Sequence, residues 1–83
     1  MTTEQFDAFV TALRDVMLER NQHPDVLDVD WPTQTVRLPL PDGTYAQQFD
    51  QVRIDAGMFN ARKLAHEMYA TYRSAPDPGA ATE

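Results

Sequence analysis

Of the residue types that attack carbonyls, shuttle protons or hold metals, the chain offers carboxylates in number, two histidines (His23 and His66), one serine (Ser74) and no cysteine. Nucleophilic hydrolysis needs a nucleophile held against a base, and here the only hydroxyl of serine falls at the fraying end of a predicted helix. The parts of such a pair are missing. His66 and Glu67 are adjacent, so they point in different directions on a helix, and neither a His-x-x-x-His spacing nor an acidic loop with calcium spacing occurs. Asp25, Asp28 and Asp30 look like a ligand cluster. Asp28 and Asp30, however, fall on a predicted strand, where alternate side chains stand about 7 Å apart, and no glycine turns the backbone around an ion. Gly43, Gly57 and Gly79 lie too far apart to cradle a phosphate, and Gly57 near the start of a helix suits an ordinary cap. Abundant Asp does not make a catalytic pair, since nothing marks one carboxyl as buried beside another. The expectation is a protein without catalytic residues, metal or cofactor.

Charge narrows the partners. The chain of 83 residues carries a formal net charge of −6 with a pI near 4.6, which argues against the common route to nucleic acids, where clustered Lys and Arg displace counterions from phosphates. The negative charge concentrates between residues 25 and 55, with six Asp against Arg37 and Arg53, whereas residues 56–74 carry Arg62, Lys63 and Arg73 against Glu67 alone. Only that last basic set could face an anion. Lacking cysteine, the chain has no disulfide framework, so a cytoplasmic location is expected. No apolar run approaches a membrane span, and Met1-Thr2-Thr3-Glu4-Gln5 lacks the basic start of an export signal. Six Arg against one Lys hints at a GC-rich bacterial or phage source.

The elements that must position these residues follow from periodicity. Thr2 and Gln5 have the spacing of a capping box, and Phe6, Phe9, Val10, Leu13, Val16 and Met17 then recur at intervals of three and four, predicting an amphipathic helix over roughly residues 3–20. Asp7, Arg14, Asp15, Glu19 and Arg20 form its solvated face. Asn21-Gln22-His23-Pro24 ends it, with His23 a loop residue. From Val26 to Phe49 the pattern changes to a period of two. Leu27, Val29 and Trp31, then Val36, Leu38 and Leu40, and then Tyr45 and Phe49 define the inner face of a three-stranded antiparallel meander. Its turns are Trp31-Pro32-Thr33-Gln34 and Pro41-Asp42-Gly43, the latter read as a type I turn with Gly43 supplying a positive φ. Gln47 interrupts the third strand's alternation and implies a weak strand or a bulge near Gln47-Gln48, while Val52 and Ile54 extend it or form a separate segment. Pro39 fits a middle strand only beyond its first neighbour's reach. Asp55 is the predicted N-cap of a second helix over roughly 56–73, burying Met58, Ala61, Leu64, Ala65, Met68 and Tyr72, with Phe59 and Tyr69 at the stripe's edges and His66 at its boundary. Lys63 and Glu67 have i,i+4 spacing. Residues 75–83 have the composition of a disordered tail, leaving 1–74 as one domain.

The fold expected is therefore α+β in the order α-β-β-β-α, with two helices on one face of the meander. Val26, Asp28, Asp30, Thr35, Arg37, Thr44, Ala46 and Gln48 are left on the other face, with Arg37 opposite Asp28 or Asp30. The function expected is a small acidic protein-binding module, a regulator or inhibitor of bacterial or phage origin, occupying a basic partner surface through Asp28, Asp30, Arg37, Asp42 and Asp50. Two alternatives stand beside it: a nucleic-acid mimic that blocks a DNA- or RNA-binding protein, and a weak nucleic-acid binder acting through Arg62, Lys63 and Arg73. The small core and free sheet surface also lead to the expectation of a homodimer.

Overall fold

The carbonyls of Val16, Met17 and Leu18 at the end of the first helix are each taken by an amide of the residues that follow, and this fixes where the chain goes next. In the computed structural model, which describes residues 1–55 and 57–74, helix α1 spans Thr3–Glu19. At its start the Thr2 hydroxyl accepts from the Gln5 amide (3.1 Å) and the Gln5 side chain accepts from the Thr2 amide (2.9 Å), the reciprocal capping box the sequence predicts. At its end Asn21 adopts φ 60°, so the Gln22 amide reaches the Met17 carbonyl (2.8 Å) and the Asn21 amide the Leu18 carbonyl (3.1 Å). This is a Schellman closure, with asparagine taking the left-handed position that glycine usually fills. His23 then caps a single 3-10 turn, Pro24–Val26, by accepting the Asp25 amide at Nδ1 (3.2 Å).

Three strands follow, β1 (Asp28–Asp30), β2 (Thr35–Leu40) and β3 (Gly43–Gln48), paired antiparallel in that order. Val26, expected on the first strand, belongs to the 3-10 turn, because Pro24 fixes a turn geometry just before it. The continuous register from Thr35↔Gln48 to Leu40↔Gly43 excludes the expected bulge, and Tyr45, Gln47 and Phe49 keep one parity throughout. Gln47 is accommodated on the inner side because the Tyr45 hydroxyl donates to its Oε1 (2.7 Å). The second turn also differs from expectation: Leu40 pairs directly with Gly43, so Pro41 and Asp42 alone form the loop and Gly43 has no positive φ. Positive φ occurs instead at Gln34 (51°), the last residue of the first turn. Beyond Phe49, Val52 and Ile54 lie outside any strand.

Helix α2 spans Ala61–Arg73, five residues later than the sequence predicts, and its N-cap is Asn60, whose side chain accepts the Lys63 amide (3.0 Å), rather than Asp55. The Asp55 carbonyl closes a turn with the Met58 amide (2.8 Å) ahead of the helix. Glycine at 57 disfavours a helix there, whereas Phe59 and Leu64 occupy the two positions of a hydrophobic staple around Asn60, both half-buried against the core. The later start leaves Met58 outside the helix and 79% exposed, and Tyr69, expected at the stripe's edge, is buried in the core.

α1 and α2 pack together over the inner sheet face. Phe9 meets Phe49 with ring centroids 4.7 Å apart, and Tyr72 meets Tyr45 at 5.7 Å, so each helix is tied to β3 or its extension by an aromatic pair. Trp31, predicted for the core, is 45% exposed: Pro32 turns the chain at the end of the short β1, and the indole only lies edge-on against Phe6 (5.3 Å, 86°). Odd-numbered β2 residues direct their backbone groups toward β1, since the even-numbered Gln34 accepts from Phe49 on the β3 side (2.8 Å). Pro39 therefore lacks an amide on the side where β1 has already ended, and its carbonyl there accepts the Tyr72 hydroxyl (2.7 Å). Gln22 donates to that same hydroxyl (3.3 Å) and accepts from Tyr69 through its Oε1.

Two stability measurements follow. Tyr72→Phe leaves the Pro39 carbonyl and the Gln22 amide without their shared partner, and a loss of about 1–2 kcal/mol is expected in denaturant unfolding with an unchanged slope. Gln34→Gly removes a left-handed side-chain residue and a buried Oε1 without a partner, so a gain of about 0.5–1 kcal/mol is expected.

Candidate interaction surface

The face of the sheet opposite the helices is built by strand parity. Asp28 pairs with Arg37 and Arg37 with Ala46, forming one row across all three strands; Asp30, Thr35 and Gln48 form the next, and Pro39 with Thr44 a third. Of the two acids that could face Arg37, the register selects Asp28: its Oδ2 lies 3.7 Å from Arg37 Nη1. Both side chains remain open to solvent, at 72% for Asp28 and 39% for Arg37, so the pair is worth about 0–1 kcal/mol and mainly favours this register over its neighbours. Thr35 is the exception on this face. It is buried at the start of the middle strand, with its hydroxyl 2.8 Å from that of Thr33 in the preceding turn.

The five residues expected to bind a partner are thus only partly gathered. Asp28, Asp30 and Arg37 share the outer face. Asp42 sits in the hairpin loop and Asp50 follows Phe49, at opposite ends of β3 and about 26 Å apart along an extended strand.

The basic alternative is more scattered still. Arg62 forms an ion pair with Glu19, clamping the second helix to the end of the first at an exposed site. The hydrogen bond from Arg62 is the main reason the Glu19 carboxyl is held below the ordinary glutamate range, and the same bond raises the guanidinium of Arg62. Lys63 lines a shallow cleft of about 150 Å³ with Ile54, Met58, Phe59 and Leu64. Its ammonium is not within ion-pair distance of Glu67, which lines the same cleft, among the ion pairs of the described residues. Arg73 lies in the last turn of α2, on the same side as Arg62 but about 16 Å further along the axis.

Among the described residues no three His, Asp or Glu side chains converge as a metal site, and no helix is long and apolar enough to cross a membrane. His66 is half-buried beside the core residue Ala65. The predicted tail, residues 75–83, lies outside the described residues. Two structural polar residues escaped sequence reasoning, Gln22 and Asn60. Asn60 carried a readable signal, a capping residue followed by the periodic Leu64, Ala65, Met68 and Tyr72; Gln22 carried none.

The depressed Glu19 carboxyl has a definite sign. Its contribution is fully present above the unfolded glutamate range and is lost as pH falls through the lower folded value. An NMR titration is expected to find Glu19 titrating below the ordinary glutamate range, and Arg62→Ala is expected to raise it toward that range. No protein family model, no curated protein and no solved structure matches this chain.

Proposed function

We propose that this chain is a non-enzymatic protein-binding module that lays the outer face of its sheet against a basic protein surface. The observation that carries this reading is the division of the sheet into two faces: both helices are committed to the inner one, and the outer one presents Asp28 and Asp30 on β1 with no element over it among the described residues. The charge of the whole chain acts in the same direction. At −6 it draws a cationic surface from beyond contact distance, while the Asp28 and Asp30 carboxylates orient it at close range. A regulator or inhibitor that works by occupying a partner's surface needs no more chemistry than this, and a cysteine-free chain suits the cytoplasm of a bacterial or phage-infected cell.

The geometry favours this reading over both nucleic-acid alternatives. A mimic of a phosphate backbone needs a long row of unpaired negative charges, whereas the outer face has two acids on β1, one of them facing Arg37. Direct binding to nucleic acid would rely on Arg62, already engaged by Glu19, and on two further cations spread along α2.

Retention of host proteins on the immobilised chain, compared with the Asp28→Asn/Asp30→Asn double variant, tests the reading. A basic protein is expected to bind the unaltered chain at low salt and to be released as salt rises. With that partner in hand, the double variant is expected to slow association roughly tenfold at low salt. Affinity that stays constant across the salt range, or that is indifferent to both substitutions, would overturn the proposal.

A further inference from the structure

The two edges of the sheet are built differently. β1 is an edge of three residues, two of them aspartate, and such an edge resists another strand through its shortness and charge. β3 has none of these protections. Its six residues, Gly43-Thr44-Tyr45-Ala46-Gln47-Gln48, contain no charge and no proline, and their register runs without a bulge. Because the odd-numbered residues of β3 bond to β2, the N–H and C=O groups of Thr44, Ala46 and Gln48 point away from the sheet. All three residues are exposed, and these groups have no hydrogen-bond partner among the described residues.

We propose that β3 is a homotypic pairing edge, through which two copies of the chain join antiparallel about a two-fold axis at Ala46 into one six-stranded sheet. The strand selects its own copy by pattern. With Ala46 on the axis, Ala46 bonds reciprocally to Ala46 of the other copy and Thr44 to Gln48, so every outward backbone group of all three residues is satisfied at once. Shifting the register by two residues leaves one of the three unpaired. The side chains agree with this register. On the outer face Thr44 meets Gln48 around two small alanines; on the inner face Tyr45 meets Gln47, the same hydroxyl and amide that already bond within one chain (2.7 Å). Any other strand would have to match this neutral pattern by chance, whereas a second copy supplies it by symmetry.

The same register brings Asp42 of each copy near Asp50 of the other at both ends of the junction. These like charges oppose pairing at low salt and are screened at high salt, so self-association strengthens with ionic strength. That is the opposite of the response expected for binding a basic partner, and the two proposals can fail separately.

Sedimentation of the full chain from about 1 to 500 µM, a range that spans dissociation constants of weak to moderate dimers, is the test. A concentration-dependent rise from 9.4 kDa to twice that mass is expected, larger at high salt, with amide exchange at Thr44, Ala46 and Gln48 slowing as the dimer forms. Ala46→Pro removes the central donor without breaking a bond to β2, and Ala46→Lys places two like charges on the axis while reducing the net negative charge. Each is expected to weaken dimerisation at least about tenfold. Asp28→Asn/Asp30→Asn is expected to leave it unchanged. A mass that stays monomeric at every concentration and salt, or a dimer undiminished in the folded Ala46→Lys variant, would falsify the pairing and leave the basic-partner reading standing.

Discussion

The Tyr72 hydroxyl occupies the place where a longer first strand would have been, and the arrangement of both helices depends on that substitution. β1 ends its pairing at Arg37, so the Pro39 carbonyl faces a side of the sheet with no strand beside it. A polar group half-enclosed by the core costs more without a partner than its bond is worth when made. Tyr72 supplies the bond from α2, and Gln22 holds the same hydroxyl from the end of α1. The Schellman closure at Asn21 is what turns Gln22 toward the second helix instead of onward into solvent. Helix end, second helix and sheet therefore share one small polar junction inside an otherwise apolar contact. Proline at 39 belongs to the same solution, since a residue without an amide leaves only the carbonyl to be satisfied there.

Much of this fold was legible because its signals were local or strictly periodic. The capping box and six apolar positions of α1 needed nothing from elsewhere in the chain, and all six are buried. Period two across two hairpins was enough to place Arg37 opposite one of two aspartates, though only the loop lengths decided that it is Asp28. The errors occur where two local signals competed and packing decided. Asp55 and Asn60 are both good caps. Asn60 prevails because Phe59 and Leu64, on either side of it at the two staple positions, are then both packed against the core. Trp31 continued the buried parity on paper, yet Pro32 ended the strand before the indole could join it. Pro41-Asp42-Gly43 supports either a two-residue or a three-residue loop, and the register of the strands it joins chose the shorter.

The candidate surface was readable to a different degree. Parity correctly assigned Asp28, Asp30 and Arg37 to the face away from the helices, because that assignment needs only the core to be on the other side. Sequence distance was a poor guide for Asp42 and Asp50. Both neighbour β3 in the chain, but a strand separates its two ends by its full length, so acids that flank it cannot act as one patch. Net charge per segment hides this, since it counts residues that the fold then disperses. The basic segment shows the same effect in reverse: a surplus of positive charge in α2 is reduced by Glu19 from another helix.

The proposed edge pairing through β3 and the proposed face binding through β1 do not compete for the same atoms. A strand added at β3 bonds in the plane of the sheet, through backbone groups, and the side chains of Thr44, Ala46 and Gln48 stay on the outer face. In the paired form β1 of each copy becomes an outermost strand. The two Asp28–Asp30 rows then lie across the width of six strands, about 24 Å at the usual strand spacing, and are related by the two-fold axis. A partner with one basic patch gains nothing from that arrangement, whereas a symmetric partner, or one with two patches at that separation, is bound twice. Its second contact is made at the high effective concentration that the first provides. The short, charged β1 and the long, neutral β3 are thus complementary features of one small sheet: shortness and charge guard one edge against an added strand, and the other edge carries neither guard.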